Sequence, residues 1–289
     1  MVLNFLTLDW DYFFTASEEL RQRCFQIYRT ENAPAHQHIF SWAYSYYDYG
    51  DELLNIKIKP EAYDILKKIK LNRSAEVYIC KSHTNAYHVF SSFLQKYRKT
   101  PLINLLNIDH HSDTLHEIKG LYSLQETGVH CGNWLYCFMK QAKGNYWWVC
   151  DEDSEKIALP SSLEFCTDIK DSPLESLTWD AVLICRSDIW SPPHLDDEFT
   201  KIFKPYIQST YSFVMDADIW QSRYPAIRKL ADEIKAYPPY PPEFSEKQRK
   251  ECDELKVVYL QHRKQIMDMI YRNKEKEKEI RKSHPELFK

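Results

Sequence analysis

Glycine is scarce in this sequence, with five among 289 residues and none after Gly144. Phosphate-cradling loops need clustered glycines so that backbone can approach the ligand. Neither GxxxxGK(S/T) nor GxGxxG occurs, which weakens P-loop and nicotinamide-dinucleotide readings. A GxSxG nucleophile elbow is absent as well. The eight cysteines (24, 80, 131, 137, 150, 166, 185 and 252) include no CxxC pair. Cys80, Cys150 and Cys185 close apolar runs, which fits reduced, buried thiols in a cytosolic protein. No apolar run approaches the roughly 18 residues of a membrane span, and no membrane partner is expected. "MVLNFLTLDWDYFF" has neither a basic n-region nor a small-residue cleavage site, so it does not read as a signal peptide and the expected location is cytoplasmic. Net charge is -4 with Lys and Arg interspersed among Asp and Glu, so no footprint for a nucleic-acid backbone is present.

What the chain does hold is ample core-forming material, 44% hydrophobic and 15% aromatic. Short apolar runs ending in polar residues recur: "NFLTLDWD", "AEVYICKSH", "PLINLLNIDHH", "NYWWVCDED", "DAVLICRSD" and "TYSFVMDAD". Near-continuous hydrophobicity over about 4 to 8 residues suits strands buried on both faces of a parallel sheet. Between them, "PEAYDILKKIK" and "TNAYHVFSSFLQKYRK" repeat apolar residues at helical spacing. The alternation predicts an α/β fold with a mainly parallel, doubly wound sheet over residues 1–240, whose ligand site forms beyond the carboxyl ends of the strands. The aromatic stretch 33–50 reads either as packing or as a lid over that site. After the proline-rich joint "AYPPYPPEF", residues 241–289 read as a charged helical extension, and its apolar stripe within 245–272 is the expected place for a homo-oligomer contact.

The densest chemistry lies in "LLNIDHHSDT", residues 105–114. Asp109, His111 and Asp113 alternate, so an extended segment sends all three to one side and His110 to the other. Two carboxylates and one imidazole make a hard site suited to Mn²⁺, with Zn²⁺, Fe²⁺ or Mg²⁺ as alternatives.

That stretch resembles the D-x-H-x-D motif of the arginase/deacetylase superfamily, in which the alternating residues bind one or two metal ions. Further similarities follow in the family's order. "EVYICKSHTNAYHVF" matches the layout of a strand followed by a metal-binding histidine that opens a helix, which implies His83 as a ligand. "TGVHCGNWLYCF" is similar to the segment that brings a histidine to the catalytic centre, which implies His130. "AVLICRSDIW" lies where the family's second carboxylate pair falls, which implies Asp188. The resemblance spans roughly residues 1–225 and is closest to an uncharacterised arginase-like branch with an "LDWDYF" strand and a "CGNW" segment. It implies a three-layer α/β/α architecture. Two departures stand out: "Cys-Lys-Ser" replaces the usual Gly-Gly-Asp before the first histidine, and Arg186 replaces the first carboxylate of the pair. Asp9 and Asp11, a further alternating pair at a strand end, are the candidates to supply the missing ligand.

The resulting expectation is a metal-dependent hydrolase of a carbon–nitrogen bond (amide, amidine or guanidine) that attacks with a metal-bound hydroxide. Asp109, His111, Asp113, Asp188, His83, Asp9 and Asp11 are the expected metal ligands. His130 and Asp113 are the expected catalytic groups. Arg186, Asn133 and Trp134 are expected to contact a small-molecule or peptide-like substrate. Two alternatives are phosphoesterases. "IDHH" resembles the DHH type. "LTLDWDYFFT" resembles the first motif of haloacid-dehalogenase-like enzymes, with Asp9 as nucleophile, Asp11 as acid, and Asp196 and Asp197, or Asp216 and Asp218, as Mg²⁺ ligands. A third alternative is a non-catalytic binding module that retains the arginase-like fold.

Overall fold

Valine, isoleucine, leucine and aromatic residues dominate the apolar runs, and each run forms a strand. The computed structural model describes residues 1–25, 35–97, 101–114, 128–156 and 159–236. The chain divides into two units, Met1–Ala231 and Asp232–Lys289. The first carries a seven-stranded sheet of β1 (Val2–Asp9), β2 (Lys70–Cys80), β3 (Leu102–Ile108), β4 (Gly144–Val149), β5 (Leu163–Cys166), β6 (Thr178–Cys185) and β7 (Ser212–Val214). Its spatial order is β5-β4-β3-β1-β6-β2-β7, and every pairing is parallel. The expected parallel α/β sheet is therefore present. Of the second unit, the described residues are the end of the helix that closes the first; the proline joint and the 245–272 stripe lie outside the described residues.

Helices flank the sheet: α1 (Glu18–Cys24), α2 (Ala35–Leu54), α3 (Ile65–Lys68), α4 (Thr84–Gln95), α5 (Trp134–Gln141), α6 (Asp196–Gln208) and α7 (Tyr224–Ala236). Among the described residues, no helix is long and apolar enough to cross a membrane. On one face of β1, Leu3 and Phe5 pack against α4 and α5; the Phe5 and Phe90 rings stack at 4.5 Å. Just beyond the end of β1, Trp10 meets Phe199 and Phe203 of α6 at 5.4 and 5.7 Å. Close strand packing explains Gly144 at the start of β4, where a Cβ would lie 1.9 Å from the Ile103 carbonyl oxygen.

Two local readings change, and a third is decided between its alternatives. "PEAYDILKKIK" is not one helix but a 3-10 turn, Pro60–Tyr63, followed by the short α3. "LEFC", too brief to stand out as an apolar run, adds β5 at one edge. In the described part of the aromatic stretch, Trp42 and Tyr46 are buried; Trp42 packs on Phe25 at 5.0 Å, and the Tyr46 hydroxyl bonds His194 Nδ1 at 2.6 Å. These two residues are core packing, not a lid.

The topology directs attention to one crevice. From β1 the chain proceeds toward β2 on one side of the sheet, whereas from its neighbour β3 it proceeds to β4 on the other. Connections that diverge from adjacent parallel strands open a cleft beyond their carboxyl ends. β1 ends at Asp9 and β3 ends one residue before Asp109.

Candidate metal centre

Asp9 and Asp109 end their strands in the same way. One oxygen of each carboxylate accepts the backbone N–H two residues on: Asp9 Oδ1 from Asp11 at 3.1 Å, and Asp109 Oδ1 from His111 at 2.8 Å. These short Asx-type turns immobilise one oxygen and leave the other facing inward. Asp11 is held across the crevice, its Oδ1 accepting the His110 backbone N–H at 3.2 Å. Asp113 arrives through a left-handed turn, at φ 52°, a conformation that aspartate tolerates better than most residues. The Asp113 carbonyl accepts the N–H groups of Leu135 and Tyr136 in the first turn of α5. Its convergence with Asp109 thus comes from bends after β3, not from a pleated extension of the strand.

His83, at the N-cap of α4, faces these carboxylates. Its Nδ1 lies 3.0 Å from each of three oxygens: Oδ2 of Asp9, of Asp109 and of Asp113. A single ring N–H points at one acceptor, and none of the three is aligned with it: both His83 nitrogens are buried without a hydrogen-bond partner. Beside this group, His111 Nδ1 lies 2.8 Å from Asp11 Oδ2 and 3.9 Å from Asp109 Oδ1; Asp11 Oδ2 is likewise buried without a hydrogen bond. Asp109 therefore belongs to two adjoining clusters, Asp9/His83/Asp109 and Asp11/Asp109/His111. Donor atoms around a hard divalent ion at about 2.1 Å are spaced about 3.0 Å apart in an octahedral shell. The spacing and the orphaned donors fit cation ligation better than direct hydrogen bonding.

The electrostatics agree. Burial and the neighbouring Asp11 carboxylate push the Asp9 carboxyl up to about 6. Burial and the charges of Asp113, Asp11 and Asp9 raise Asp109 well above the carboxylate range. Burial opposes a charge on Asp11, but the charge of His111, with those of Arg21 and His110, prevails and holds its carboxyl low. Burial also opposes protonation of the imidazoles; Asp9 nevertheless raises His83 well above its usual value, and Asp11 lifts His111 to about 10. Four carboxylates meet two imidazoles and the Arg21 guanidinium, which lies 3.9 Å from Asp11 Oδ2, and a divalent cation would favour the charged form of the carboxylates.

The other expected site residues are engaged elsewhere. Arg186 grips Asp188 with two hydrogen bonds at 2.5 and 2.8 Å, and its remaining nitrogen donates to the Ile219 and Gln221 carbonyls. Arg223 lies 3.9 Å from the same Asp188 carboxylate. Neither Arg186 nor Asp188 joins the clusters. Asn133 is buried and accepts the His130 backbone N–H at 2.8 Å, closing a turn. His130 is half-buried, and its Nδ1 accepts the Gly132 N–H at 3.2 Å. Trp134 is fully buried; its indole N–H donates to Asp113 Oδ2 at 2.5 Å, and its ring lies 4.9 Å from His83. It touches ligands of the cluster, not open space.

His110 does not leave the side of His111 as alternation along a strand predicts: the two rings lie 5.1 Å apart, and Glu18, His110 and His111 bring ligand atoms together in a further group. The His110 ring nitrogens bond Asp151 and Glu18 at 2.9 Å each, and Lys59 pairs with Asp151. Asn107 and Thr7, not anticipated as site residues, stand behind Asp109. Strand period was the available signal for Asn107, since it precedes Asp109 by two positions and shares its face. Only His111 among the six clustered residues has appreciable exposure, at 33%, with Trp190 at 4.8 Å from its ring. The cleft therefore opens on the His111 side. No family model, curated protein or solved structure matches the chain.

Proposed function

We propose that the chain is a metal-dependent hydrolase of a carbon–nitrogen bond in a small-molecule or peptide-like substrate, built on an arginase-like three-layer α/β/α scaffold. The observation that carries the metal reading is His83 Nδ1 equidistant, at 3.0 Å, from three carboxylate oxygens with no hydrogen bond formed. The choice of bond rests on the resemblance of Asp109, His111 and Asp113 to the D-x-H-x-D motif. His83, Asp9, Asp109 and Asp113 would hold one cation; Asp11 and His111, with Asp109 shared, offer a place for a second. Mn²⁺ suits this oxygen-rich set best, with Zn²⁺, Fe²⁺ or Mg²⁺ as alternatives. A bound cation supplies Lewis acidity and a water that ionises near neutral pH.

The chain's own residues do the rest. The Asx-type turns of Asp9 and Asp109 keep the ligand oxygens converged. His111, on the open side, borders the approach to the cleft. As the imidazolium, His130 would deliver its Nε2 proton to a leaving amine, which requires Nδ1 to release the Gly132 N–H that it accepts here.

The haloacid-dehalogenase-like scheme has less support. Asp196 is bound to Arg223 at 2.6 and 2.8 Å, Asp216 accepts the Lys81 backbone N–H at 2.9 Å, and Asp218 pairs with Lys81 at 2.5 Å. The DHH scheme gives Asp113 no role, yet Asp113 faces His83 with the others.

Elemental analysis of protein purified without chelator tests the proposal, followed by a panel of amides, amidines and guanidines with p-nitrophenyl phosphate as control. Stoichiometric Mn²⁺ or Zn²⁺, lost in His83→Ala, together with amine or urea release, is the expected result. A chain that takes up no cation even when Mn²⁺ or Zn²⁺ is added is the non-catalytic module instead. Phosphate release abolished by Asp9→Asn would transfer the site to phosphoester chemistry.

A further inference from the structure

Thr7 and Asn107 face each other as register partners on β1 and β3, and both are completely buried. Strands covered on both faces favour apolar residues, and the neighbours of this pair along the chain, Leu6, Leu8, Leu106 and Ile108, conform. A buried amide is costly unless its groups are satisfied. Here they are satisfied in one direction: the Thr7 hydroxyl donates to Asn107 Oδ1, and Asn107 Nδ2 donates to Asp109 Oδ2 at 3.3 Å. That Asp109 oxygen is the one that lies 3.0 Å from His83 Nδ1.

Resting on the metal reading above, we propose that Thr7 and Asn107 are positioning residues that orient the Asp109 carboxylate for cation binding. The polarity of the chain matters. A hydroxyl proton on Asn107 Oδ1 fixes which end of the amide faces the site. With the amide turned over, its carbonyl oxygen would oppose the carboxylate instead of donating to it. Asp109 then has both oxygens restrained, Oδ1 by the His111 N–H and Oδ2 by Asn107, while Oδ2 keeps room for a cation. A second amide ladder, Asn145–Asn104–Asn4, crosses the same strands nearer their beginnings, where these side chains are half-buried or exposed. It ends on the Thr178 carbonyl and contacts none of the clustered residues.

Mn²⁺ affinity separates this role from simple packing. Removing both partners of a buried hydrogen bond in favour of apolar groups of similar shape is close to neutral for stability. In Thr7→Val/Asn107→Leu that bond goes at both ends, but Asp109 Oδ2 also loses its Asn107 donor, so the melting temperature of chelator-treated protein is expected to fall modestly. Its Mn²⁺ affinity, followed by the paramagnetic resonance of free Mn²⁺, should fall about 10- to 100-fold, the range for groups that orient a metal ligand. Thr7→Val alone should weaken binding in the same direction and provides the measurement if the double variant does not fold. Thr7→Ser, which keeps the hydroxyl, should restore wild-type affinity. Binding by Thr7→Val and the double variant within about twofold of wild type, or an equal loss in Thr7→Ser and Thr7→Val, overturns the positioning role. A wild-type chain that binds no Mn²⁺ overturns the metal reading itself.

Discussion

Trp134 donates its indole N–H to Asp113 Oδ2 at 2.5 Å, and that same oxygen lies 3.0 Å from His83 Nδ1. A side chain that looked suited to a pocket wall therefore works from behind a ligand. Trp134→Phe keeps most of the ring against His83 but removes the donor. Cation affinity should fall by about tenfold or more, and the chelated protein should lose about 1–3 kcal/mol because a buried carboxylate oxygen loses its partner. Isothermal titration with Mn²⁺ and urea denaturation measure the two effects. Unchanged affinity alongside lowered stability would make Trp134 a packing residue only.

Asp9 stands among other carboxylates, and its raised ionisation point has a consequence for the cation-free protein. Its carboxyl moves from 3.8 in the unfolded chain to about 6 in the fold. The protonated form is thus favoured by folding; this contribution is present below pH 3.8 and lost as pH rises through about 6. Asp9→Asn retains the neutral shape at every pH. In chelator-treated protein at pH 8 it should be more stable than wild type, by about 3 kcal/mol, with the advantage vanishing below pH 4. The same variant should lose stabilisation by Mn²⁺. Equal stability of the two proteins across the pH range, measured by denaturant unfolding with chelator, would contradict this.

His194 offers a pH dependence away from the metal cluster. Burial lowers its ionisation point below 6.5, and the ring is held neutral between the Tyr46 hydroxyl at Nδ1 and the Ile56 carbonyl at Nε2. Its contribution to stability is complete above 6.5 and lost as pH falls through the depressed value. His194→Gln should therefore show a shallower loss of stability than wild type between pH 6.5 and 5, the difference not exceeding about 1.4 kcal/mol per pH unit. Parallel urea titrations at several pH values suffice, and identical slopes would rule the assignment out.

The legible part of this molecule follows from local periodicity. Near-continuous apolar runs identified six of the seven strands, and polar residues at their ends located the crevice that Asp9 and Asp109 share. The order of segments was enough to place His83. Less accessible were relationships that depend on how a loop folds back. Asp113 joins Asp109 only because its backbone adopts φ 52°, which alternation along an extended chain does not predict. Nothing in "CRSD" reveals that Arg186 closes onto Asp188 two residues later. Trp134 and Asn133 were read by residue type, yet their roles depend on where α5 begins: one reaches back to Asp113, and the other closes the turn at His130.

Asp188 is where family layout and observed contacts diverge, and a substitution distinguishes them. If Asp188 were a metal ligand, Asp188→Asn would weaken cation binding and relieve charge crowding in the chelated protein. The contacts predict the reverse. The Asp188 carboxylate is held down by Arg223 and by the paired hydrogen bonds of Arg186, whose guanidinium is 1% exposed. Removing the negative partner leaves a buried guanidinium uncompensated, which should destabilise the protein by up to about 3 kcal/mol. Because Asp9, Asp11, His83, Asp109, His111 and Asp113 are untouched, Mn²⁺ should still bind within about threefold of wild-type affinity, well short of the loss expected for a ligand or its orienting group. Urea unfolding of the chelated protein and Mn²⁺ titration of the folded protein give the two numbers. Loss of binding without loss of stability would restore Asp188 to the ligand set and require the 186–188 segment to rearrange around the ion.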